Sequence, residues 1–484
     1  MRLTKTDILA GLQCHKQLFL LKNHPEYKKP INTPAMITGV VVEEHARKLF
    51  SNPVLVSRFK KEADPFEETQ NYISNSSYDA IFQAGFRAND VEVFVDVLER
   101  EGDAWNIIEI KASTEIKNHF IDDLTIQYFT ARETGLSVGR AKLMHINKDF
   151  DYKKTDDYSD LFVIEEVTDR VRTHLATIEQ QIDRLKEVLK LSQPEIPISS
   201  HCNNPNPCEF RAYCEESGPK YPVGQLPYGG AVIKKLHANH IYDIRDIPIE
   251  MLSSDNHKRV HRITLEGKPE LDQAVGKIVS ELAYPRYYLD FEGIQFAIPI
   301  WKNAKAFQQL PFQFSCHIEK DSSSLTHEEF LDVSGSDPRR ALAEALLKAC
   351  GKEGPIIVYY QAYEKKRIEE LADLFPDLSE SLLQLNDRVW DLWPVVRAHY
   401  YHPEMKGSWS IKKVLSCLVP ELSYSELGAV QDGTQAQQAY FDLIGNTLDE
   451  NQKNQLIDEL RQYCKLDTLA MVEIVRKLAR GEVH

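Results

Sequence analysis

Three charged residues between Val91 and Thr114 have the types and spacing that metal-dependent hydrolysis requires. Asp96 ends an alternating apolar run, and Glu109 and Lys111 stand two residues apart in a second apolar run after the turn EREGDAW. Residues two apart on a β-strand point to one face, so Glu109 and Lys111 are predicted to lie together. Carboxylates beside a lysine can hold a divalent metal and activate a water molecule. The alternative is a polar hairpin with ordinary surface charges.

A second set of acidic residues lies in the C-terminal half. Asp290 and Glu292 stand two apart in the strand-like segment YYLDFEGI, so they are predicted to share a face. Glu364 lies near the start of a predicted helix. Tyr463 and Asp467 are four apart on the predicted last helix, which places them on the same helical face. This half therefore also has acidic side chains that a fold could bring together.

The eight cysteines are unevenly placed along the chain. Cys202, Cys208 and Cys214 form a C-x5-C-x5-C group, and Cys14 is the remaining cysteine of the N-terminal half. In a cytosolic chain, clustered cysteines are more typical of metal binding or redox chemistry than of disulfides. Three thiolates so close together are suited to a cation, with Cys14 available as a fourth ligand. The other four are predicted to be small buried hydrophobic residues: Cys316, Cys350, Cys417 and Cys464.

The composition limits the class of protein. With 484 residues the chain is long enough for two or three domains, and its 42% hydrophobic content is normal for a globular protein. It has no apolar run of about 18 residues and no signal-peptide core, so we expect a cytoplasmic protein without membrane contact. The net charge of −15 argues against a large basic nucleic-acid clamp. It does not exclude a nuclease, because carboxylate-rich metal sites are themselves acidic.

The predicted helices and strands place the N-terminal residues in an α/β unit. Residues 4–22 are predicted to form one amphipathic helix capped by Thr4 or Thr6, and residues 36–50 a second helix that carries His45. A strand hairpin, a helix with Gln127 and another strand follow, which together form an α/β core. His45 is either a metal ligand, since neutral imidazole binds divalent metals, or an ordinary core or surface histidine.

The domain boundaries are predicted from changes in composition. Residues 217–230 are rich in glycine and proline and are predicted to form a linker. Residues 231–280 are predicted to be a small helical connector, in which LHANHIYDIRDIP is either a helix-hairpin-helix element or a plain helical spacer. A second α/β unit begins at Tyr284. The predicted domains are 1–216, 217–283 and 284–484.

The N-terminal motifs, taken in order, resemble a known family. His45, Asp96, Glu109-Ile110-Lys111 and Gln127 resemble the RecB-like branch of the PD-(D/E)XK nucleases, over roughly residues 1–216. The resemblance implies metal-dependent phosphodiester hydrolysis with Mg²⁺ or Mn²⁺. The implied metal ligands are His45, Asp96, Glu109 and the Ile110 carbonyl. Lys111 would position or deprotonate the attacking water, and Gln127 would orient the substrate or Lys111.

The cysteines resemble those of the iron–sulfur members of the same branch, where one precedes the catalytic core and three follow it. This implies a 4Fe-4S cluster that pins the two chain ends of the nuclease together. The implied ligands are Cys14, Cys202, Cys208 and Cys214. The family commonly has two of its last three cysteines only two residues apart, whereas this chain does not. The departure leaves the cluster type open and keeps Zn²⁺ as an alternative.

The C-terminal motifs resemble the DnaQ-like, RNase H-fold 3′–5′ exonucleases of DEDD type. Asp290 and Glu292 match the first motif, Tyr463 and Asp467 match the tyrosine form of the third, and Glu364 stands where the second motif usually has Asp. The implied chemistry is two divalent ions held by four carboxylates, with the tyrosine orienting water. Because Glu is longer than Asp, and Gln361 replaces the usual Asn, a non-catalytic substrate-binding module is the alternative. The whole resembles bacterial proteins that join a RecB-like nuclease to a C-terminal domain of unknown function.

The function expected from these resemblances is that of a DNA nuclease with two sites. Its expected substrate is DNA with single-stranded ends, acted on mainly by the N-terminal site. One alternative is an RNA-processing exonuclease that works through the C-terminal site. Another is a non-catalytic nucleic-acid-binding component of a repair or defence complex.

Overall fold

Two β-sheets, each with helices packed on it, organise the chain. The computed structural model describes residues 2–29, 35–58, 63–445 and 448–482. The mixture of helices and sheets is the α/β class that the sequence predicts. Within the described residues, no helix has the combination of length and apolar character that crossing a bilayer requires.

The N-terminal unit is built on a mixed sheet. Its strands are β1 Leu3–Thr4, β2 Pro53–Leu55, β3 Ala80–Ala88, β4 Val91–Glu101, β5 Ala104–Lys111, β6 Val138–Ile146 and β7 Phe162–Glu166. Its helices are α1 Lys5–Gln13, α2 His15–Asn23, α3 Ala35–Arg47, α4 Pro65–Ser74, α5 Asn118–Glu133, α6 Thr168–Val188 and α7 Arg211–Glu216. Among the described residues, the strand order is β2-β3-β4-β5-β6-β7, with β1 beside β4. Strands β3, β4 and β5 are antiparallel, and α5 crosses over to β6, which is parallel to β5.

The predicted single helix over residues 4–22 is wrong, because the chain breaks at Cys14 into α1 and α2. Cys14 is extended, with φ −162° and ψ 119°. Of the two predicted caps, Thr4 is used: its hydroxyl accepts from the Asp7 N–H at 3.2 Å, and Asp7 accepts from the Thr4 N–H at 2.7 Å. No glycine or proline marks the break, and one extended residue barely disturbs the apolar pattern. Sequence periodicity therefore could not reveal it.

The C-terminal unit is built on a second mixed sheet. Its strands are β9 Arg286–Gln295, β10 Gln309–Asp321, β11 Ser324–Leu331, β12 Ile356–Val358 and β13 Val389–Asp391, while β8 Glu270–Leu271 and β14 Tyr400–Tyr401 form a separate pair. The strand order is β11-β10-β9-β12-β13 within the described chain. Strand β10 is antiparallel to β9 and β11, whereas β12 is parallel to β9 and β13.

The helices of the second half cover both faces of this sheet. They are α8 Gly230–Ala238, α9 Asp255–Glu266, α10 Ala274–Ser280, α11 Arg339–Ala349, α12 Ala362–Leu374, α13 Ser379–Asp387, α14 Leu392–His399, α15 Ile411–Leu418, α16 Gly433–Ile444 and α17 Glu450–Arg480. Alternate side chains of β9 point to opposite faces of the sheet. Leu289 and Phe291 are buried in a core with residues of α11, α12 and α13. Asp290 and Glu292 consequently lie on the opposite face, where α17 packs.

The predicted connector shares a hydrophobic core with the C-terminal sheet. Leu236, Val260 and Val275 are buried in the same cluster as Tyr288 of β9 and Leu478 of α17. Residues 239–254 separate α8 from α9 and contain two short 3₁₀ turns, so LHANHIYDIRDIP does not form two helices joined by a short hairpin. The segment is therefore part of the C-terminal packing and more than a spacer.

The two units meet through a short stretch of each. The Asn303 N–H donates to the Tyr152 carbonyl at 2.8 Å, and the Tyr152 N–H donates to the Ala304 carbonyl at 3.1 Å. The Tyr158 hydroxyl donates to the Pro299 carbonyl at 3.1 Å. Apolar side chains from both stretches, including Phe150, are buried in one small cluster. The segment that follows β9 thus packs against the segment that follows β6.

Gly407 provides a test of how the predicted linker, residues 217–230, is packed. It has φ +76°, and a Cβ atom at this position would collide with the Gln225 carbonyl oxygen. We expect Gly407→Ala to destabilise the protein by about 2 kcal/mol or more, because both the conformation and the close approach favour glycine. Thermal unfolding should show a lower apparent Tm. Gly230→Ala is the control, since nothing lies near its Cβ position at the start of α8, and an unchanged Tm for Gly407→Ala would contradict the described packing.

Candidate functional site

Asp96 lies where the ladder between β4 and β5 stops. The paired residues run from Glu101 opposite Ala104 to Val97 opposite Ile108. Beyond this point the Asp96 side chain replaces the backbone of β4 as the hydrogen-bond partner of β5. Its Oδ2 accepts a hydrogen bond of 2.9 Å from the Ile110 N–H. A side chain thus replaces a backbone partner. The carboxylate of Asp96 is thereby fixed against the end of β5 that carries Glu109 and Lys111.

Glu109, Lys111 and Gln127 form a bonded cluster at this end of the sheet. The Lys111 ammonium donates to Glu109 Oε1 at 2.6 Å, so the two side chains share a face as strand periodicity predicts. The Gln127 amide of α5 donates to Glu109 Oε2 at 2.5 Å. Strand β5 and helix α5 together therefore position these three predicted residues.

Two further residues of the cluster were missed by the sequence analysis. Asp123 of α5 accepts from Lys111 at 2.5 Å and from the Gln127 amide at 3.0 Å. Lys5, the first residue of α1, lies 2.9 Å from Asp123 and 3.3 Å from Glu109. Asp123 could have been found from its spacing, because it stands four residues before Gln127 on one helix. Lys5 could not, because 104 positions separate it from Glu109.

Burial and nearby charges shift the pKa values of Glu109 and Asp123 in opposite directions. Burial, together with the charges of Asp123 and Asp96, raises the pKa of Glu109 to about 8. Burial acts in the same direction on Asp123, but the positive charges of Lys5 and Lys111 outweigh it and lower the pKa of that carboxyl. Compared with free carboxyl groups, Asp123 therefore favours the ionised form and Glu109 the protonated form. Such separated pKa values are typical of functional sites.

Strand β3 is strained directly opposite Asp96. Gln83 has φ +55° and stands between the pairs Phe82–Val97 and Ala84–Val95. A left-handed conformation in a residue other than glycine costs about 1–3 kcal/mol and is concentrated at functional sites. The Gln83 amide donates to Glu43 of α3 at 2.8 Å. No sequence signal marks this residue, because the strain arises only from how the strands cross.

His45 is held on α3 by contacts of its own. Its Nδ1 lies 3.0 Å from the Val41 carbonyl oxygen, and its ring packs edge-on against Tyr158 at 5.0 Å between centroids. In the part of the chain that the structure describes, His45, Asp96 and Glu109 do not form a group whose ligand atoms all lie within 4.8 Å. The role of His45 as a metal ligand therefore stays a prediction.

The four N-terminal cysteines converge on one small cavity. It is lined by Cys14 at the break between α1 and α2, and by Cys202, Cys208 and Cys214. The Gln13 amide donates to the His201 carbonyl at 2.8 Å, which fixes the loop that carries Cys202 and Cys208 next to Cys14. Among the described residues, no three of the four cysteine sulfur atoms lie within 4.8 Å of one another.

An open cleft of about 760 Å³ connects the acidic cluster to the cysteine loop. Its lining includes Lys111 and Asp123 of the acidic cluster and residues 204–207 of the cysteine loop. Helix α1 forms one wall, and Phe120 of α5 lies beside Lys111, whose ammonium is 5.1 Å from the ring centroid. Lys111 and Asp123 therefore face a space large enough for an extended ligand.

In the C-terminal unit, acidic residues from three elements converge on β9. The ligand atoms of Asp290, Glu292 and Cys464 all lie within 4.8 Å of one another. Asp467 of α17 accepts a hydrogen bond from the Tyr424 hydroxyl. Glu364, in the first turn of α12, is only 3% exposed, and its Oε2 atom has no hydrogen-bond partner within the part of the chain that the structure describes. The sequence thus predicted the acidic set, but not Cys464, which lies among acids and not in an apolar core.

Burial raises the pKa of every acidic group in this site. For Asp290 and Glu292 the pKa is raised well above the ordinary range, first by burial and then by the charge of Asp467. Burial raises the pKa of Asp467 to about 6 and that of Glu364 to about 8. Four acidic groups packed together resist ionisation, which is the situation that a bound cation relieves.

Two residues that support this site were not predicted. Lys412 of α15 has its ammonium 5.1 Å from the ring centroids of both Tyr424 and Tyr463. Asp391 accepts from the Tyr360 N–H at 2.9 Å and from the Gln361 N–H at 3.1 Å, which fixes the chain just before α12. Nothing in the sequence pattern of α15 distinguishes Lys412 from Lys413.

Comparison with known proteins finds relatives whose descriptions state no activity. Residues 287–410 match a family described as "Domain of unknown function (DUF2779)". The "Uncharacterized protein MG366" of Mycoplasma genitalium is 27% identical over 216 residues, which are 40% of this chain and 32% of that protein. The "Uncharacterized protein UU173" of Ureaplasma parvum is 25% identical over 276 residues, which are 51% of this chain and 39% of that protein. The chain thus spans about a third of the length of these relatives.

A solved structure titled "Crystal structure of SSO0001" shares 15% sequence identity with the chain. The match covers 44% of this chain and 85% of the other, with a TM-score of 0.22.

The raised pKa of Glu364 predicts a pH dependence of stability. Between about pH 5 and 8 the folded chain keeps this proton while the unfolded chain loses it, so the free energy of unfolding falls as pH rises. The slope contributed by this group is at most about 1.4 kcal/mol per pH unit. In EDTA, Glu364→Gln should reduce the fall in apparent Tm from pH 5.5 to 8. Glu369→Gln, on an exposed face of α12, should leave the fall unchanged, and parallel curves for all three proteins would contradict the prediction.

Proposed function

We propose that the chain is a metal-dependent nuclease whose N-terminal site hydrolyses phosphodiester bonds in DNA with single-stranded ends. The observation that carries the proposal is the convergence of Asp96, Glu109, Lys111 and Gln127 at one end of the sheet, beside a cleft that Lys111 lines. The antiparallel strands β3 to β5, the crossover helix α5 and the parallel strand β6 provide a core suited to a PD-(D/E)XK nuclease. The order of these motifs in the sequence supports the same assignment.

The donor atoms at the N-terminal site fit a hard divalent cation. Asp96 and Glu109 would supply carboxylate oxygens, and Ile110, whose N–H donates to Asp96, would supply its carbonyl oxygen. Among the described residues, the buried Gln127 Oε1 has no hydrogen-bond partner, so one more acceptor atom is available there. Oxygen donors are those that Mg²⁺ and Mn²⁺ prefer. When bound, such an ion lowers the pKa of a water molecule and stabilises a leaving oxygen.

The lysines of the cluster supply the positive charge that the reaction needs. Lys111 is held between Glu109 and Asp123, at bonded distances from both, so its ammonium is fixed in the cleft. There it can position the attacking water and offset the charge that develops on the phosphate. Lys5 adds a second fixed ammonium on the other side of the same carboxylates. Gln127 orients Glu109 through its amide.

The cleft supports a single-stranded substrate. Its walls carry Phe120 and His119 next to Lys111, and flat rings beside a cation are the groups on which unpaired bases stack. The chain as a whole is acidic, with a net charge of −15. A long basic surface for duplex DNA is therefore less compatible with it than a short track near the site.

The four cysteines are proposed to hold a 4Fe-4S cluster, with a single zinc ion as the alternative. Cys14, Cys202, Cys208 and Cys214 line the same small cavity, which supports a shared ligand for all four sulfurs. Such a group would tie the break between α1 and α2 to the segment from Cys202 to Cys214, and so close one end of the cleft.

The C-terminal unit is proposed to hold a second, exonuclease-like metal site of DEDD type. The sheet order β11-β10-β9-β12-β13 supports an RNase H-like unit, and Asp290, Glu292, Glu364 and Asp467 converge on its central strand. The positive charge of Lys412 acts on Glu292 and Asp467, and that of Arg367 acts on Glu364. The longer Glu364 side chain is proposed to take the place of the usual Asp, and among the described residues its buried Oε2 atom has no hydrogen-bond partner.

The nuclease proposal predicts separate effects of substitutions in the two sites. With labelled single-stranded DNA and Mg²⁺ or Mn²⁺, Asp96→Asn and Glu109→Gln should each reduce the cleavage rate by at least about 100-fold, because they remove charge that stabilises the reaction. Asp290→Asn should leave most of the DNA cleavage. Asp103→Asn, in the exposed turn of the same hairpin, is the matched control.

The outcomes separate the alternative functions. Cleavage of labelled RNA that Asp290→Asn abolishes and Asp96→Asn does not would favour an RNA-processing exonuclease. Anaerobically purified protein that binds single-stranded DNA but shows no metal-dependent cleavage would overturn the proposal in favour of a binding component.

The cysteine assignment predicts a coloured protein. Purified without oxygen, the chain should contain about four iron atoms per molecule and absorb broadly in the visible range. Cys14→Ser should remove most of the iron and the colour, whereas Cys350→Ser, in the core of the C-terminal unit, should retain both. A colourless protein that contains zinc would overturn the iron–sulfur assignment and leave the nuclease proposal standing.

A further inference from the structure

The thiol of Cys464 lies among acidic oxygens of the C-terminal site. Its Sγ atom is 3.7 Å from Asp290 Oδ2 and 3.8 Å from the Asp290 carbonyl oxygen. Among the described residues, Asp290, Glu292 and Cys464 form a group whose potential metal-ligand atoms all lie within 4.8 Å of one another. The side chain has no exposed surface. A cysteine that only filled space would be expected among apolar groups, as Cys316 and Cys350 are.

A second observation indicates that this group is built to hold a ligand. Glu364 is 3% exposed, and among the described residues its Oε2 atom has no hydrogen-bond partner. Its carboxyl group interacts electrostatically with both Asp290 and Glu292, so the three carboxyl groups are neighbours. A buried carboxylate oxygen without a partner is costly, and native proteins retain such atoms mainly where something binds.

The helix that carries Cys464 is held in a fixed position against the sheet. The Gln313 amide of β10 donates to the Leu460 carbonyl of α17 at 3.0 Å. One turn after Cys464, the Thr468 hydroxyl lies 2.8 Å from both Ser315 Oγ and His317 Nδ1. These contacts flank Cys464 along one face of the helix. The sulfur is therefore presented to Asp290 by a rigid support, as a metal ligand requires.

We propose that Cys464 is a metal ligand, and that Asp290, Glu292 and Cys464 bind a borderline-soft divalent cation of the Zn²⁺ or Co²⁺ type in preference to Mg²⁺. The inference rests on the proposed metal site of the C-terminal unit, but it does not require that the unit is catalytic. On binding, the Sγ–H bond breaks, the proton passes to the buffer, and the sulfur lone pair forms the bond to the cation. No oxidant or reductant takes part.

The selectivity follows from the ligand types. Mg²⁺ requires oxygen ligands in nearly ideal octahedral geometry, and a sulfur in the set does not meet this requirement. Zn²⁺ and Co²⁺ accept thiolate together with carboxylate ligands and tolerate fewer of them. Replacing the sulfur by a hydroxyl should therefore weaken binding of the softer ions and leave Mg²⁺ binding nearly unchanged.

The test is a Co²⁺ titration of the full chain purified without oxygen, with the four-cysteine site loaded as isolated. Wild-type protein should bind one equivalent that produces a thiolate-to-cobalt absorption band in the near ultraviolet. Cys464→Ser should lose this band and bind Co²⁺ at this site at least about tenfold more weakly. A loss of that size is known even for changes to residues that only support a metal ligand. Its affinity for Mg²⁺ should change by less than about twofold. Cys417→Ser, a half-buried cysteine of α15, should behave as wild type.

Two results would overturn the inference in distinguishable ways. If Cys464→Ser keeps the thiolate band and the affinity, the thiol is not a ligand, although the carboxylates can still bind metal. If Asp290→Asn leaves both the band and the number of bound Co²⁺ ions unchanged, the C-terminal metal site itself fails, and the N-terminal nuclease is unaffected. If the serine variant does not fold, ¹¹³Cd NMR of the wild type decides, because sulfur and oxygen ligands give different chemical shifts.

Discussion

The burial of several carboxylates in each unit is the constraint on which the rest of the structure depends. A buried charge is stable only when it is paired, hydrogen-bonded or neutralised by a proton or a cation. The N-terminal unit pairs its acids with two lysines, Lys5 and Lys111. In the C-terminal unit, Lys412 acts on Glu292 and Asp467 and Arg367 acts on Glu364, but burial still raises the pKa of all four acids. Both arrangements retain acidic groups that a divalent cation would stabilise further.

Helix α1 connects the two special features of the N-terminal unit. Its first residue, Lys5, is paired with Glu109 and Asp123, and the chain breaks immediately after its last residue to present Cys14 to the cysteine cavity. The helix also forms a wall of the cleft between them. Any group that fixes Cys14 therefore fixes the position of the Lys5 ammonium as well.

The contact between the units lies next to both candidate sites. Tyr158 packs against His45 and donates a hydrogen bond to the Pro299 carbonyl, a few residues after β9. The strand that carries Asp290 and Glu292 therefore leads directly into the segment that touches the N-terminal unit. This arrangement gives the two sites a defined spacing, because backbone hydrogen bonds between Tyr152 and the pair Asn303–Ala304 hold the segments together.

The sequence by itself determined the α/β class and indicated most of the acidic residues of both sites, although not Asp123, because strand and helix periodicity decide which side chains share a face. Glu109 and Lys111 on β5 illustrate this, as do Asp290 and Glu292 on β9. It also determined that the cysteines are clustered, since three of them lie close along the chain. Only the tertiary structure decided the places of Lys5, Lys412 and Cys464, the strain at Gln83 and the helix break at Cys14. These features depend on contacts between segments far apart in the chain, and local patterns contain no information about which distant groups will meet.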